Sequence, residues 1–356
     1  MTIRKIKRRP AELSALELFA QLDDPSAGGA INDPARRAAV LEQLSKGLDA
    51  SLASEARLHG WRVQAMFAAM IIGLGCVKLL SSEDEGDCYF DDADGGVRVP
   101  DFRLVTTDDE QLLIEVKNVS PRQTRRHTIR ALDLDGMKRY ADWTHARLVF
   151  AHYWSAANAW TLVDASRLVV ANGKASLSLE GANGERTWEA RRPNDRHDFA
   201  SCVVCLSERG PRAEVSPQSE TKAFRIDKIA LSAGGRELRT KVERTIAFQL
   251  MLFGDWHAEE KPRIDGGKLV RHDYVFRPYD PEGAEAEQGF SVVTSLSSLH
   301  ATRYTFNTLH PEGHVETLRL EPEPGALSAI VPAGYWERPH RALRLWMFEI
   351  LPFATQ

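Results

Sequence analysis

Apolar residues recur along this chain first at helical spacing and then in alternation, and the change of period marks where the fold turns from helices to strands. A helical pattern runs from Ala11 to Leu22 and is stopped by Asp-Asp-Pro-Ser-Ala-Gly-Gly. Asp33 followed by Pro34 reads as an N-cap with proline in the first turn. Leu41, Leu44, Leu48 and Leu52 then repeat at three and four, predicting an amphipathic helix. A third helix is expected from about Ser54 to Ile72, burying Leu58, Val63, Met66, Phe67, Met70 and Ile71, with Gln64 inside the apolar stripe and facing a site rather than solvent. Past a strand near Cys76–Leu80, two β-rich runs, Val99–Val105 and Gln111–Val119, flank the polar Thr-Thr-Asp-Asp-Glu segment as a hairpin does. A loop centred near Asp108 sets Asp101 opposite Glu115. Alternation then gives Asp101, Arg103, Glu115 and Lys117 one face and Phe102, Leu104, Leu112, Ile114 and Val116 the other. A helix at Ala131–Trp143, a buried strand at Ala146–Trp154 and an edge strand at Trp160–Val163 follow, with Tyr140, Tyr153, Trp154 and Trp160 read as core.

Beyond Val170 the pattern weakens. Asn172-Gly173, Asn183-Gly184 and Asn194-Asp195 punctuate short polar strands, and residues 216–221 read as a linker. The last third predicts a strand at Arg225–Leu231 and a helix from about Arg236 to Phe253. Strands are expected at Leu269–Pro278, Phe290–Thr294, Val315–Glu321 and Leu343–Leu351. His272, Asp273, Glu287 and His314 show no metal-ligand spacing, and Cys202 and Cys205, lacking a second cysteine pair, read as packed thiols. This part is expected to be an α+β domain for recognition or assembly.

Composition narrows the class. The 356 residues suffice for two ordinary domains, and 43% hydrophobic residues can fill their cores. A net charge of −4 excludes a global basic field, so any contact with nucleic acid must come from local patches. Four cysteines and no signal peptide point to a reducing, cytoplasmic setting. The longest apolar run, Val63–Val77, falls short of a membrane span and contains Gln64. Seven acids between Ser81 and Asp94 lack the alternation of a calcium loop and read as a solvated segment. The basic stretch Arg4–Arg9 reads as a frayed terminal arm.

The candidate chemistry sits on the hairpin. Two carboxylates on adjacent strands, Asp101 and Glu115, with the Val116 carbonyl as a further oxygen donor, suit a hard cation such as Mg²⁺ or Mn²⁺. Lys117 could orient an attacking water or offset charge on a phosphate. A half-buried hairpin with a merely solvated polar face gives the same alternation and stays open on period alone. Arg122, Arg125, Arg126 and Arg130, with Lys138 on the following helix, supply positive charge without an acid between residues 117 and 130, as a phosphate backbone would require.

Pro100-Asp101, a thirteen-residue gap, and Glu115-Val116-Lys117 at the end of an apolar strand resemble the PD-(D/E)xK nuclease superfamily, the restriction-endonuclease-like fold. The expected element order, α-β-β-β-α-β over about residues 50–170, is similar to that family's core. The resemblance implies an α/β fold, Mg²⁺-dependent hydrolysis of phosphodiester bonds, DNA as a likelier substrate than RNA, and a setting in anti-phage defence, restriction or DNA repair. It also implies that an acid on the preceding helix reaches the metal cluster and assists, and Glu55 matches by position as that further metal ligand. The chain would then divide into an N-terminal basic arm and helices (1–50), a nuclease-like domain (51–170), a β-rich connection (171–220) and the C-terminal domain (221–356), the last offering a surface for a homodimer or a partner protein. The alternative, from a different class, is an inactive nuclease fold that binds nucleic acid or scaffolds a larger complex. A third class, an interaction protein whose arginines meet an acidic partner, remains open.

Overall fold

The computed structural model describes residues 4–5, 11–24, 26, 30–75, 77–84, 88–91, 96–120, 126–179, 200–207, 225–233, 236–254, 256–278, 294–327, 330–335, 340–343 and 345. Three helices lead, Ala11–Leu22 (α1), Pro34–Leu52 (α2) and Glu55–Leu74 (α3). Asp33 caps α2 by accepting from the Ala35 N–H, with Pro34 in the first turn, and Gly75 ends α3 in the left-handed conformation, φ 75°. The leucine stripe of α2 does not reach the core: Leu41, Leu44, Leu48 and Leu52 are all exposed, and Val40 alone of that helix is buried.

The strands Val77–Ser82 (β1), Phe102–Thr106 (β2), Gln111–Val119 (β3), Arg147–Trp154 (β5) and Ala159–Asp164 (β6) form a five-stranded sheet in the order β1-β2-β3-β5-β6. It is a mixed sheet, because β3 and β5 run parallel while the other pairs are antiparallel. Between β3 and β5 lie a short strand, Arg126–Arg130 (β4), and the helix Ala131–Trp143 (α4), which supplies the crossover that a parallel pair needs. β4 joins Val169–Ala171 (β7) and Lys174–Ser178 (β8) in a separate three-stranded sheet. A second five-stranded sheet combines Ala200–Ser207 (β9), Arg225–Ala233 (β10), Arg236–Glu237 (β11), Trp256–Asp265 (β12) and Lys268–Pro278 (β13). The helices Lys241–Phe253 (α5) and Leu296–Phe306 (α6) complete a mixed α/β protein.

Both faces of β3 are buried, which corrects the expectation of one apolar and one polar face. Leu112, Ile114 and Val116 join Val63, Met66, Phe67 and Met70 of α3 in one core. Leu113 and Val119 join Leu134, Met137 and Ala141 of α4, with Leu148, Phe150 and Trp154, in a second. The crossover helix covers the face that a simple hairpin would leave wet, so only the end of the strand keeps a polar environment. The first core continues without a break into Leu231, Ile246, Leu250, Leu299, Tyr304 and Tyr335. Gly325 N–H and Leu327 N–H donate to the Ile72 and Gly73 carbonyls at 3.2 and 3.0 Å, satisfying the last turn of α3.

Other expectations change in detail. The helix predicted from Arg236 begins at Lys241, because Thr240 caps it and Arg236–Glu237 pairs with β10. Val315–Glu321 is not a strand; a single bridge joins Leu309 to Val315. The strands expected at Phe290–Thr294 and Leu343–Leu351, Glu287, the turns at Asn183 and Asn194 and the linker at 216–221 lie largely or wholly outside the described residues. Cys202 and Cys205 lie in β9, with side chains outside the described set. Tyr153, Trp154 and Trp160 are core, as their composition suggested.

Candidate active site

The hairpin register fixes the site. Phe102 pairs with Ile114 and Val105 with Gln111, so the turn centres where the pattern placed it and Asp101 stands opposite Glu115 by continuation of the ladder. β2 starts only at Phe102, and the register would next set Val116 against Pro100. Proline carries no N–H to donate to the Val116 carbonyl, so that oxygen stays available at the strand end. The Val116 N–H is satisfied differently: it donates to Asp101 Oδ2 at 2.6 Å. Gln64 Nε2 on α3 donates to Asp101 Oδ1 at 2.7 Å. Backbone and helix thus orient both oxygens of one carboxylate.

Glu115 projects from β3 on the face toward α4 and forms an ion pair with Lys117, two residues further along the same face. Asp101 is 8% and Glu115 4% exposed, whereas the Lys117 side chain is 27% exposed. Burial, and next the negative charge of Glu115, push the Asp101 carboxyl from 3.8 up to about 7, opposed by the Val116 hydrogen bond and by Lys117. Among the described residues the two buried carboxylates share one ammonium and are short of positive charge, and that deficit is what a divalent cation would fill. Three oxygen donors of two hard types, carboxylate and carbonyl, fit Mg²⁺ or Mn²⁺ and not a soft metal.

Around this cluster the structure adds partners that the sequence did not reveal. Glu83, expected in a solvated loop, pairs with Arg103 Nη2 at 2.7 Å and accepts from Tyr140 Oη at 2.6 Å. That triad ties the segment after β1 to β2 and α4, and the Glu83 N–H donates to the Asp101 carbonyl at 2.9 Å. Asp84 lies near enough to raise the Asp101 carboxyl further. Beside Lys117, its register partner His152 is fully buried and shares a 2.9 Å ring-nitrogen hydrogen bond with His127. Burial, followed by Lys117, holds His127 down at about 4; burial, His127 and Lys117 hold His152 well below its ordinary value. Both rings are therefore neutral near pH 7 and add no positive charge beside Lys117 and the carboxylates.

The structure does not bring Glu55 to this cluster. It is exposed in the first turn of α3, nine residues before Gln64. Nine residues correspond to about 13 Å along the axis and half a turn of azimuth, so the two point to opposite sides. Gln64 takes the helix position beside Asp101. Of the basic residues, Arg126 is exposed and donates to Ser176 Oγ at 2.9 Å, while Arg130 is committed to Asp133 at 2.7 Å. Lys138 is half-buried on α4, and Arg122 and Arg125 lie outside the described residues.

Fold and site together define a mixed α/β protein with a buried carboxylate pair and a lysine at the end of its central strands. No family model and no curated protein matches the chain. Among solved structures it is similar to Archaeoglobus fulgidus Hjc, a Holliday junction resolvase from an archaeal hyperthermophile, at 15% identity over 35% of this chain and 87% of that one, with a TM-score of 0.28. So loose an overlap carries no argument about activity. No described helix is long and apolar enough to cross a membrane.

Proposed function

We propose that this protein is a divalent-metal-dependent nuclease built on a restriction-endonuclease-like core, α3-β1-β2-β3-α4-β5 with β4 inserted, and that it hydrolyses phosphodiester bonds, in DNA before RNA. One observation carries the reading: Asp101, Glu115 and Lys117 form a single electrostatic cluster, with the Val116 amide fixed on Asp101. Asp101, Glu115 and the Val116 carbonyl would hold the ion, which supplies an activated water and neutralises charge on a phosphate. Lys117, the most accessible of the three, would turn its ammonium from Glu115 toward that water or the phosphate oxygen. Gln64 positions Asp101 without touching substrate. Arg126 and Lys138, and in sequence Arg122 and Arg125, follow Lys117 along the chain and would hold the backbone.

The test is cleavage of end-labelled linear duplex, branched DNA and RNA by the full chain with Mg²⁺ or Mn²⁺. Metal-dependent cutting that disappears in Lys117→Ala supports the proposal, and wild type and variant that are alike inert refute it. The depth of the carboxylate pair favours one second reading, a non-cleaving nucleic-acid-binding or scaffolding subunit. That reading predicts salt-dependent DNA binding with no Mn²⁺ affinity that depends on Asp101 and Glu115.

A further inference from the structure

A second cluster lies far from the hairpin in sequence, on the turn that follows α6. His310, Glu312 and His314 each offer a ligand atom, and these atoms lie within 4.8 Å of one another. The turn is built to keep them together. His310 N–H donates to the His314 carbonyl at 3.0 Å, Gly313 N–H donates to the His310 carbonyl at 2.8 Å, and Leu309 bridges Val315 just outside. Gly313 sits at φ 93°, a conformation that a side chain at this position would resist. This closure stacks the two imidazoles with centroids 4.3 Å apart and planes within 16°.

His310 Nδ1 accepts only a long 3.3 Å hydrogen bond from the Glu312 N–H, so its lone pair points into the turn and an ion would take the place of that bond. The same Nδ1 stands 3.9 Å from Glu312 Oε2. Ligands about 2.0–2.1 Å from a tetrahedral ion stand about 3.3 Å apart, so small side-chain rotations bring these donors into range.

From this geometry we infer that the turn 310–314 is a binding site for a first-row transition-metal ion of the zinc class, distinct in chemistry from the carboxylate site on β3. Two imidazoles and one carboxylate suit Zn²⁺, Co²⁺ or Ni²⁺, whereas Mg²⁺ prefers oxygen donors and keeps its waters. Three protein ligands leave a fourth position to water, so the ion is exchangeable rather than permanently enclosed. All three side chains lie toward the surface, and the ion reaches them without unfolding.

The experiment uses the full-length protein, freed of metal with chelator, titrated with Co²⁺ while the visible d–d absorption is followed and then with Zn²⁺ by calorimetry, in excess Mg²⁺. The expected result is an approximately tetrahedral Co²⁺ spectrum and Zn²⁺ binding that excess Mg²⁺ leaves intact. In His310→Ala and His314→Ala, affinity should fall by more than ~10-fold, the order of effect that disturbing a metal site produces. Glu115→Gln should retain it, which separates this site from the proposed nuclease centre whatever that centre does. Thermal melting of the variants in chelator, expected to match wild type because the rings are at the surface, checks that the turn has not been lost. Zn²⁺ affinity unchanged by both histidine replacements, or no Zn²⁺ binding at micromolar concentrations, overturns the assignment.

Discussion

Asp101→Asn should stabilise the metal-free protein above neutrality, and the size of the effect follows from the site. Burial and Glu115 raise the Asp101 carboxyl from 3.8 to about 7. Between those values the folded chain retains a proton that the unfolded chain has released. The contribution of Asp101 to stability therefore falls as pH rises from about 4 to about 7, and the full cost is present at pH 8. At about 1.4 kcal/mol per pH unit the upper bound is ~4 kcal/mol; relaxation and water entry at the strand end reduce the expected difference to ~1–3 kcal/mol. Asn preserves the shape: its Oδ1 can accept from Val116 N–H, and its Nδ2 can donate to Gln64 after that amide flips. The assay is urea unfolding of wild type and variant at pH 5 and pH 8, in EDTA and in excess Mn²⁺. His127, His152 and His300, all held below their ordinary range, instead lose stability as pH falls, but they are common to both chains and cancel in the difference. In EDTA the variant should be the more stable at pH 8, with a smaller gap at pH 5. Mn²⁺ should stabilise wild type alone, by mass action on the folded state. A variant less stable than wild type at pH 8 in EDTA, or Mn²⁺ stabilising both chains equally, refutes the reasoning.

Other outcomes follow from neighbouring contacts. Lys117→Ala should lower cleavage by ~10²-fold or more, as removal of a group acting on transition-state charge does, while leaving Mn²⁺-induced stabilisation in place; loss of both would make the lysine part of the fold rather than of the chemistry. Gln64→Leu removes a donor to the charged form of Asp101, so the pH midpoint of Mn²⁺ binding should move upward; a midpoint unchanged by the substitution denies Gln64 its positioning role. Glu243, 4% exposed near the start of α5, accepts from Ala342 N–H at 2.7 Å and Leu343 N–H at 3.2 Å. Glu243→Ala strands those amides and should cost ~2–4 kcal/mol in urea unfolding, and a cost under ~0.5 kcal/mol would show that the contacts are idle.

The first half of the fold was legible because its signals are local. Asp33 and Pro34 mark a helix start by capping chemistry alone, and the polar centre of the hairpin fixes the register that sets Asp101 opposite Glu115. Gln64 could be singled out because a polar residue in an apolar stripe must answer to something polar. Glu83 could not: its partners Arg103 and Tyr140 are 20 and 57 residues away and meet it only after α4 crosses the sheet. β12 escaped notice because nearly all of it is exposed, leaving no alternation to read. The leucines of α2 misled in the opposite sense, since a stripe at helical spacing shows which residues share a face and not whether anything covers it. His314 showed no metal-ligand spacing and His310 was not singled out, because the two come together only once the turn at Gly313 closes.

The account rests on Asp101 and Glu115 sharing one ion, and Mn²⁺ titration of the full chain at pH 8, followed by electron paramagnetic resonance, addresses that directly. One ion should bind wild type, should still bind Lys117→Ala and His310→Ala, and should be lost from both Asp101→Asn and Glu115→Gln. An ion retained by either carboxylate variant at wild-type affinity would contradict the proposed centre.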